Sequence, residues 1–231
     1  MPSSALITGG TGGLGAAVTQ AFLDSGWRVV VPVFDEAQRE RLPAHERLVL
    51  EPADLFDEGS ARAVTQLAAG DAEAPLRAVV NLVGGFSAGG RVHETPVEDF
   101  EAQLRLNLRP AYLVCHAAIA HLLAGEGGGA IVCVSSRAAL KPFSGAAGYI
   151  VAKAAVLAFV DVLHAEYGAD GIRANAILPS VIDTPANRRS MPDADHSRWV
   201  TPPQIAAAVR FLCEDGSDVV SGAHLPVYGR A

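Results

Sequence analysis

The sequence predicts an α/β fold: a doubly wound parallel sheet of about seven strands, with helices on both faces. Two observations carry this. Short β-branched runs recur along the 231 residues, and segments of helical apolar period fill the gaps between them. Parallel strands need crossover connections, which helices supply. No repeat or linker-like stretch interrupts the alternation, so one domain over 1–231 is expected, large enough to bury a full core.

Ala5–Thr8 is a short apolar strand that runs into a glycine loop. Gly13–Ser25 then reads as a helix, with Leu14, Val18, Ala21 and Phe22 on one stripe. Arg28–Val33 is β-branched and reads as a buried strand, as do Leu48–Glu51, Ala78–Val83, Ala130–Ser135 and Ala174–Leu178. Thr95-Pro96-Val97-Glu98 has the form of a capping box with proline at the first helical position, opening a helix toward Leu123. Pro110 should bend that helix. Gly148–Tyr167 is a helix rich in alanine and valine, and Thr201-Pro202-Pro203-Gln204 repeats the capping device before Ile205–Cys213. Residues 125–129 and 187–197 read as loops.

Composition narrows the function. The net charge of −7 repels phosphate backbones, and no aromatics interleave with basic residues, so nucleic acid is not an expected partner. No apolar run reaches the roughly 18 residues of a membrane span, and the start lacks a secretion-signal pattern, so a cytoplasmic protein without membrane contact is expected. Cys115, Cys133 and Cys213 are scattered, which suits free thiols packed as small hydrophobes. The seven histidines are dispersed too, and no metal site is expected.

The loop Thr8-Gly9-Gly10-Thr11-Gly12-Gly13-Leu14-Gly15 lies between a strand and a helix, where glycines let backbone approach a pyrophosphate at the helix N-terminus. Its register is open. Gly10, Gly12 and Gly15 fit G-x-G-x-x-G; Gly9, Gly12 and Gly15 fit T-G-x-x-G-x-x-G; Gly9, Gly13 and Gly15 fit T-G-x-x-x-G-x-G.

Tyr149-Ile150-Val151-Ala152-Lys153 places a phenol and an ammonium on one helical face. A nearby cation favours phenolate and lowers the tyrosine pKa from its ordinary value of about 10, as a general acid–base needs. By itself the pair also fits a solvated face. Ser136 follows the strand Ala130–Ser135 at its carboxyl end, where open α/β sheets place their sites, and its hydroxyl can bond a substrate oxygen as charge develops.

Taken together these motifs resemble a classical short-chain dehydrogenase/reductase over essentially the whole chain. The T-G-x-x-x-G-x-G loop matches at Thr8 to Gly15, and the family's Asn-Asn-Ala-Gly segment is altered to Asn81-Leu82-Val83-Gly84. Its helix asparagine matches Asn107, its serine Ser136, its Tyr-x-x-x-Lys pair Tyr149 and Lys153, and its Pro-Gly turn and threonine Pro179-Ser180 and Thr184. The resemblance implies a Rossmann fold and a hydride transfer between NAD or NADP and a small carbonyl or secondary alcohol. Tyr149 would carry the proton, Ser136 would hold the substrate oxygen, Lys153 would bind the nicotinamide ribose, and Asn107 would support a proton-relaying water. Gly9, Thr11, Gly13, Leu14 and Gly15 would lie along the pyrophosphate; Asp54 and Leu55 would meet the adenine; Asn81 would steady the central strand near the coenzyme, with Gly84 beside it. Pro179, Ile182 and Thr184 would hold the carboxamide. The extended branch of the family carries a longer C-terminal region than this chain has.

At the end of the second strand the family's diagnostic acidic and basic positions fall on Val33 and Phe34. Asp35 follows Phe34 and would repel a 2′-phosphate, while Arg39 and Arg41 lie farther on, so NAD is preferred over NADP. The resemblance places a short substrate loop at about 184–200, which suits a modest ligand. Phe86, Arg137, Phe143, Ser180, Met191 and Trp199 are the candidates to line that pocket, although surface solvation is the preferred reading of the arginines, Arg188 and Arg189 included. Competing readings are a non-catalytic coenzyme sensor, or epimerisation, dehydration or dihydropteridine reduction on the same scaffold; a methyltransferase would not call for the Tyr-Lys pair. Family members commonly pair the long helices corresponding to 102–123 and 148–167, implying a homodimer or homotetramer.

Overall fold

Seven strands form in the computed structural model, which describes residues 3–125 and 127–230; Met1, Pro2, Glu126 in the expected 125–129 loop, and Ala231 lie outside them. The strands are β1 (Ser4–Thr8), β2 (Arg28–Val33), β3 (Leu48–Pro52), β4 (Leu76–Asn81), β5 (Gly129–Val134), β6 (Ile172–Pro179) and β7 (His224–Val227). All pair in parallel in one sheet of order β3-β2-β1-β4-β5-β6-β7. The order reverses between β1 and β4, which opens a crevice at their carboxyl ends.

Side-chain alternation builds one core on each face. Leu6, Val79, Ile131 and Leu178 point to one face, with α2 (Glu58–Ala69), α3 (Val97–Ala124) and α4 (Ala147–Tyr167). Their neighbours Ile7, Val80, Val132 and Ile177 point to the other, with α1 (Gly15–Asp24) and α6 (Pro202–Cys213). Burial on both faces explains why β1, β4, β5 and β6 read as continuous apolar runs. Pro32 is tolerated in β2 because pairing with β1 stops at Leu6↔Val30.

Several expectations are corrected. β4 ends at Asn81 instead of Val83, because the Leu82 N–H turns to the Thr8 hydroxyl, 3.1 Å away, and the chain leaves the sheet through glycines. The box at Thr95 does not form: its hydroxyl donates back to the Gly90 and Arg91 carbonyls at 3.0 and 3.1 Å, and Pro96 caps α3. The box at Thr201 does form, with Gln204 Oε1 accepting the Thr201 N–H at 3.0 Å. α3 runs on through buried Pro110. By length and mean hydropathy of 1.6, the α4 segment Ala147–Asp170 is long and apolar enough to cross a membrane, contrary to the reading by apolar runs. Its Val156, Leu157, Val160 and Leu163 nevertheless belong to the core.

The segment after β6 is more ordered than a loop. It holds a short helix, α5 (Pro185–Ser190), and a single turn at His196–Arg198. An isolated parallel bridge, Ile182↔Val200, joins its two ends.

Candidate active site

Between β1 and α1 the chain turns through glycines that leave no room for side chains. Gly9 has φ +66° and lies so close to the backbone of Leu82 and Val83 that an added Cβ would sit 3.1 Å away. A Cβ on Gly15 would collide with the Gly9 carbonyl, and one on Gly10 would lie 2.8 Å from Thr19 Oγ1 and Val31. Gly13 is exposed and opposes the Thr184 methyl, 3.1 Å from an added Cβ. The N-terminus of α1 opens there with no side chain capping it, although the Ala16 and Ala17 N–H groups bond the Gly12 and Leu14 carbonyls at 2.9 and 3.1 Å. This cradle fits a pyrophosphate.

Other expected coenzyme residues fall less simply. Phe34 is 76 % exposed at the end of β2, and the Asp35 carboxylate accepts the Ala37 N–H at 3.1 Å. Asp54 is exposed and accepts the Phe56 N–H at 2.9 Å. Three side chains turn away from the cleft. The buried Thr11 hydroxyl donates to Gln38 Oε1 at 2.8 Å, and Leu55 packs into the core. The buried Asn81 amide faces the Cys115 and Cys133 sulfurs at 3.3 and 3.7 Å, tying β4 to α3 and β5. All three cysteines are buried and free. Among the described residues no cluster of three or more potential metal ligands occurs.

Ser136, Tyr149, Lys153 and Asn107 converge at the carboxyl ends of β4 and β5. The Ser136 hydroxyl stands close enough to the Tyr149 phenol to pull its pKa down, and it accepts the Ala138 N–H at 3.1 Å. Lys153 is buried, its Nζ 5.9 Å from the Tyr149 ring centre and donating to the Val134 carbonyl at 3.0 Å. Its own carbonyl accepts the buried Ser135 hydroxyl at 2.7 Å, a support that sequence reading missed. Asn107 clasps Gly85, accepting its N–H at 3.1 Å and donating to its carbonyl at 3.0 Å. Gly84 must be glycine: an added Cβ would lie 2.6 Å from Asn107 Oδ1 and 3.0 Å from Lys153 Nζ.

The electrostatics correct one expectation. Burial pushes the Tyr149 phenol above its ordinary value, against the pull of the Ser136 hydroxyl. Burial also pulls the Lys153 ammonium down to about 8, opposed by Cys133 beneath it. Thus the depressed tyrosine pKa expected from the ammonium does not arise from these side chains alone.

A family model described as Enoyl-(Acyl carrier protein) reductase matches residues 9–229. The 2-(R)-hydroxypropyl-CoM dehydrogenase of Xanthobacter autotrophicus is 32% identical, covering 99% of this chain and 98% of its own. The chain belongs to the short-chain dehydrogenase/reductase family. A solved oxidoreductase of that family from Burkholderia thailandensis superposes with a TM-score of 0.88 at 28% identity, covering 99% of this chain and 92% of its own. A blue fluorescent protein from a metagenomic library, solved with NADPH, superposes at 0.85 and 26% identity, over 99% and 97%. This family member is an NAD(P)-dependent oxidoreductase acting between alcohol and carbonyl groups.

Of the residues expected to line a substrate pocket, Phe86 lies edge-on to the Tyr149 ring at 5.0 Å, and Phe143 lies 6.3 Å from Phe86. The remaining pocket candidates are committed elsewhere. Ser180 donates to the Tyr228 carbonyl at 2.7 Å instead of facing the pocket, and Arg137 stacks over the Tyr228 ring at 5.2 Å. Tyr228 is a contact no motif signalled. Trp199 is buried against His196, whose Nε2 lies 2.9 Å from the Met191 carbonyl. Arg188 pairs with Asp183. Thr184 caps α5, accepting the Asn187 N–H at 3.2 Å, and Pro179 is buried at the end of β6. A cavity of about 490 Å³ opens at the other end of the sheet, against Ser3, Arg77, Arg173 and Cys213. Arg173 there is bonded to the Leu212 carbonyl and the Ser217 hydroxyl, far from the converging hydroxyl, phenol and ammonium.

Proposed function

We propose that this chain moves a hydride between a nicotinamide coenzyme and a small ketone or secondary alcohol, with Tyr149 as general acid–base. The convergence of Ser136, Tyr149 and Lys153 beside a glycine cradle carries the reading. When bound, the coenzyme supplies or accepts the hydride. Gly9, Gly13, Leu14 and Gly15 would hold its pyrophosphate, Phe34 and Asp35 its adenosine ribose, Asp54 and the backbone at Leu55 its adenine, and Ile182 and Thr184 its carboxamide, with Gly84, Pro179 and Lys153 closing around the ribose and nicotinamide.

The chain's own groups manage the oxygen and its proton. The Ser136 hydroxyl donates to the substrate oxygen as negative charge grows there. A phenol held above its ordinary pKa stays protonated near neutrality, ready to give its proton to a nascent alkoxide; in the oxidative direction it must first lose that proton. The Val134 carbonyl fixes the direction of the buried Lys153 ammonium, which would hold the nicotinamide ribose. Asn107 keeps Gly85 and the chain beside Lys153 in place, and the family resemblance would give it a proton-relaying water to support.

Asp35, just past the end of β2, would repel a 2′-phosphate and is the one feature on the side of NAD. The NADPH in the metagenomic relative, with Arg39 and Arg41 following Asp35, supports NADP as the second reading. The substrate reading draws on the Xanthobacter relative, named for oxidising a secondary alcohol. Three free thiols support a reducing compartment, the cytoplasm. Exposed Tyr112, Val151 and Val162 on α3 and α4 support a homodimer or homotetramer through these helices. The test follows absorbance of the reduced nicotinamide with NAD(H) and NADP(H) against ketones, diketones, quinonoid pterins and secondary alcohols. Turnover with stoichiometric coenzyme consumption is expected. Coenzyme binding without any turnover would refute the reaction and leave a sensor.

A further inference from the structure

Two large aromatic side chains stand in solvent beside the candidate proton carrier. Phe86 is 62 % exposed and Phe143 50 %, so both forgo the burial that normally accompanies such rings. Phe86 meets Tyr149 edge-on, with the ring planes at 87°, and lies 6.3 Å from Phe143 at a tilt of 47°. The three rings form an open corner next to the phenol.

Backbone holds them there. Phe86 is the one bulky residue in Gly84-Gly85-Phe86-Ser87-Ala88-Gly89-Gly90. Asn107 clasps Gly85 on one side of it. On the other side the Gly89 N–H donates to the Gly145 carbonyl at 2.7 Å. Gly145 has φ +88°, and a Cβ there would stand 2.7 Å from the Gly89 carbonyl. Thus the segments carrying Phe86 and Phe143 are joined at a contact only glycine permits, and the corner is organised before any ligand arrives. Arg137 is engaged with the Tyr228 ring and Arg188 with Asp183.

We propose that Phe86 and Phe143 determine specificity by receiving a flat, uncharged ring attached to the carbonyl or carbinol carbon that faces Tyr149. The substrate class is an aryl or unsaturated cyclic ketone or alcohol. This rests on the redox reading above. Ring stacking on two preorganised aromatic faces should favour such a substrate over a branched alkyl one of similar reach.

The test compares acetophenone with methyl isopropyl ketone, and their alcohols in the reverse direction, with both coenzymes. The wild type should favour the phenyl member by about tenfold or more in kcat/KM, and Phe86→Ala and Phe143→Ala should each lower the phenyl-to-alkyl ratio by about tenfold. A ratio near unity in the wild type, or one unchanged in both variants, overturns the ring site while alkyl turnover leaves the redox reading intact. If the wild type turns over neither ketone, calorimetric binding of acetophenone to the coenzyme-loaded protein decides. Binding that weakens in both variants upholds the ring site without the reaction; no binding, or binding unchanged in both variants, ends the ring site, while the redox reading stands or falls on the wider coenzyme-linked panel.

Discussion

Gly84→Ala is the sharpest test of the site's packing. The added methyl would lie 2.6 Å from Asn107 Oδ1 and 3.0 Å from Lys153 Nζ, the first close to an ångström short of ordinary contact. Neither neighbour is a free end. Asn107 is bonded on both sides of its amide to Gly85, and Lys153 Nζ is bonded to the Val134 carbonyl. The overpacking should cost about 1–3 kcal/mol, lowering Tm by roughly 2–12 °C for a chain of this size. A displacement of about 1 Å in the catalytic groups should lower kcat by about 10²-fold, more than the lost stability explains. Steady-state kinetics beside thermal melts give the comparison. Gly216→Ala, where a Cβ meets nothing within 4 Å, serves as the control. A Gly84→Ala enzyme with kcat within about threefold of the wild type would refute the packing logic.

Other expectations follow from the same geometry. Tyr149→Phe should lose at least about a thousandfold in turnover yet bind coenzyme by fluorescence titration; near-normal rates would remove the phenol from the chemistry. Because Lys153 loses its proton near 8, kcat/KM should decline as pH rises through about 8, and a level profile up to pH ~10 would count against the ammonium. Its folded value lies below the ordinary 10.5, so between the two the unfolded chain holds a proton the folded one has released. Stability relative to Lys153→Met should therefore rise with pH across that window, by up to about 1.4 kcal/mol per unit, and a flat difference in urea melts would contradict the burial. Ser180→Ala should lower Tm by removing a bond worth about 1 kcal/mol to the C-terminal segment. A changed KM with an unchanged melt would return that hydroxyl to the pocket. Light scattering at micromolar concentration should show at least a dimer, and a single-chain mass would exclude the helix pairing.

Legibility in the sequence tracked the range of the forces involved. β1, β2, β5 and β6 were plain because both faces are buried, which demands β-branched runs. β7 was not: the four residues His224-Leu225-Pro226-Val227 carry a proline that argues against a strand unless it lies at an edge, and being an edge is a property of the whole sheet. α2 hid behind small residues, since its stripe of Ala61, Val64, Thr65 and Ala68 gives little contrast. Ser136, Tyr149 and Lys153 could be read because their spacing along β5 and α4 fixes their meeting. The directions of Thr11, Asn81 and Ser180 could not, because their partners lie 27, 34 and 48 residues away. The Tyr149 pKa turned on desolvation, which no local pattern encodes.

The bridge between Ile182 and Val200 has a consequence for how this enzyme can diversify. Since the stretch between them begins and ends at one hydrogen-bonded hinge, β6 and α6 are insulated from what happens inside it. Doubling the length of a closed loop costs only about 0.6 kcal/mol in entropy, so the enclosed stretch can be exchanged for a longer or differently shaped graft at little thermodynamic expense. Such an exchange would leave the proton-handling groups fixed on the scaffold behind it.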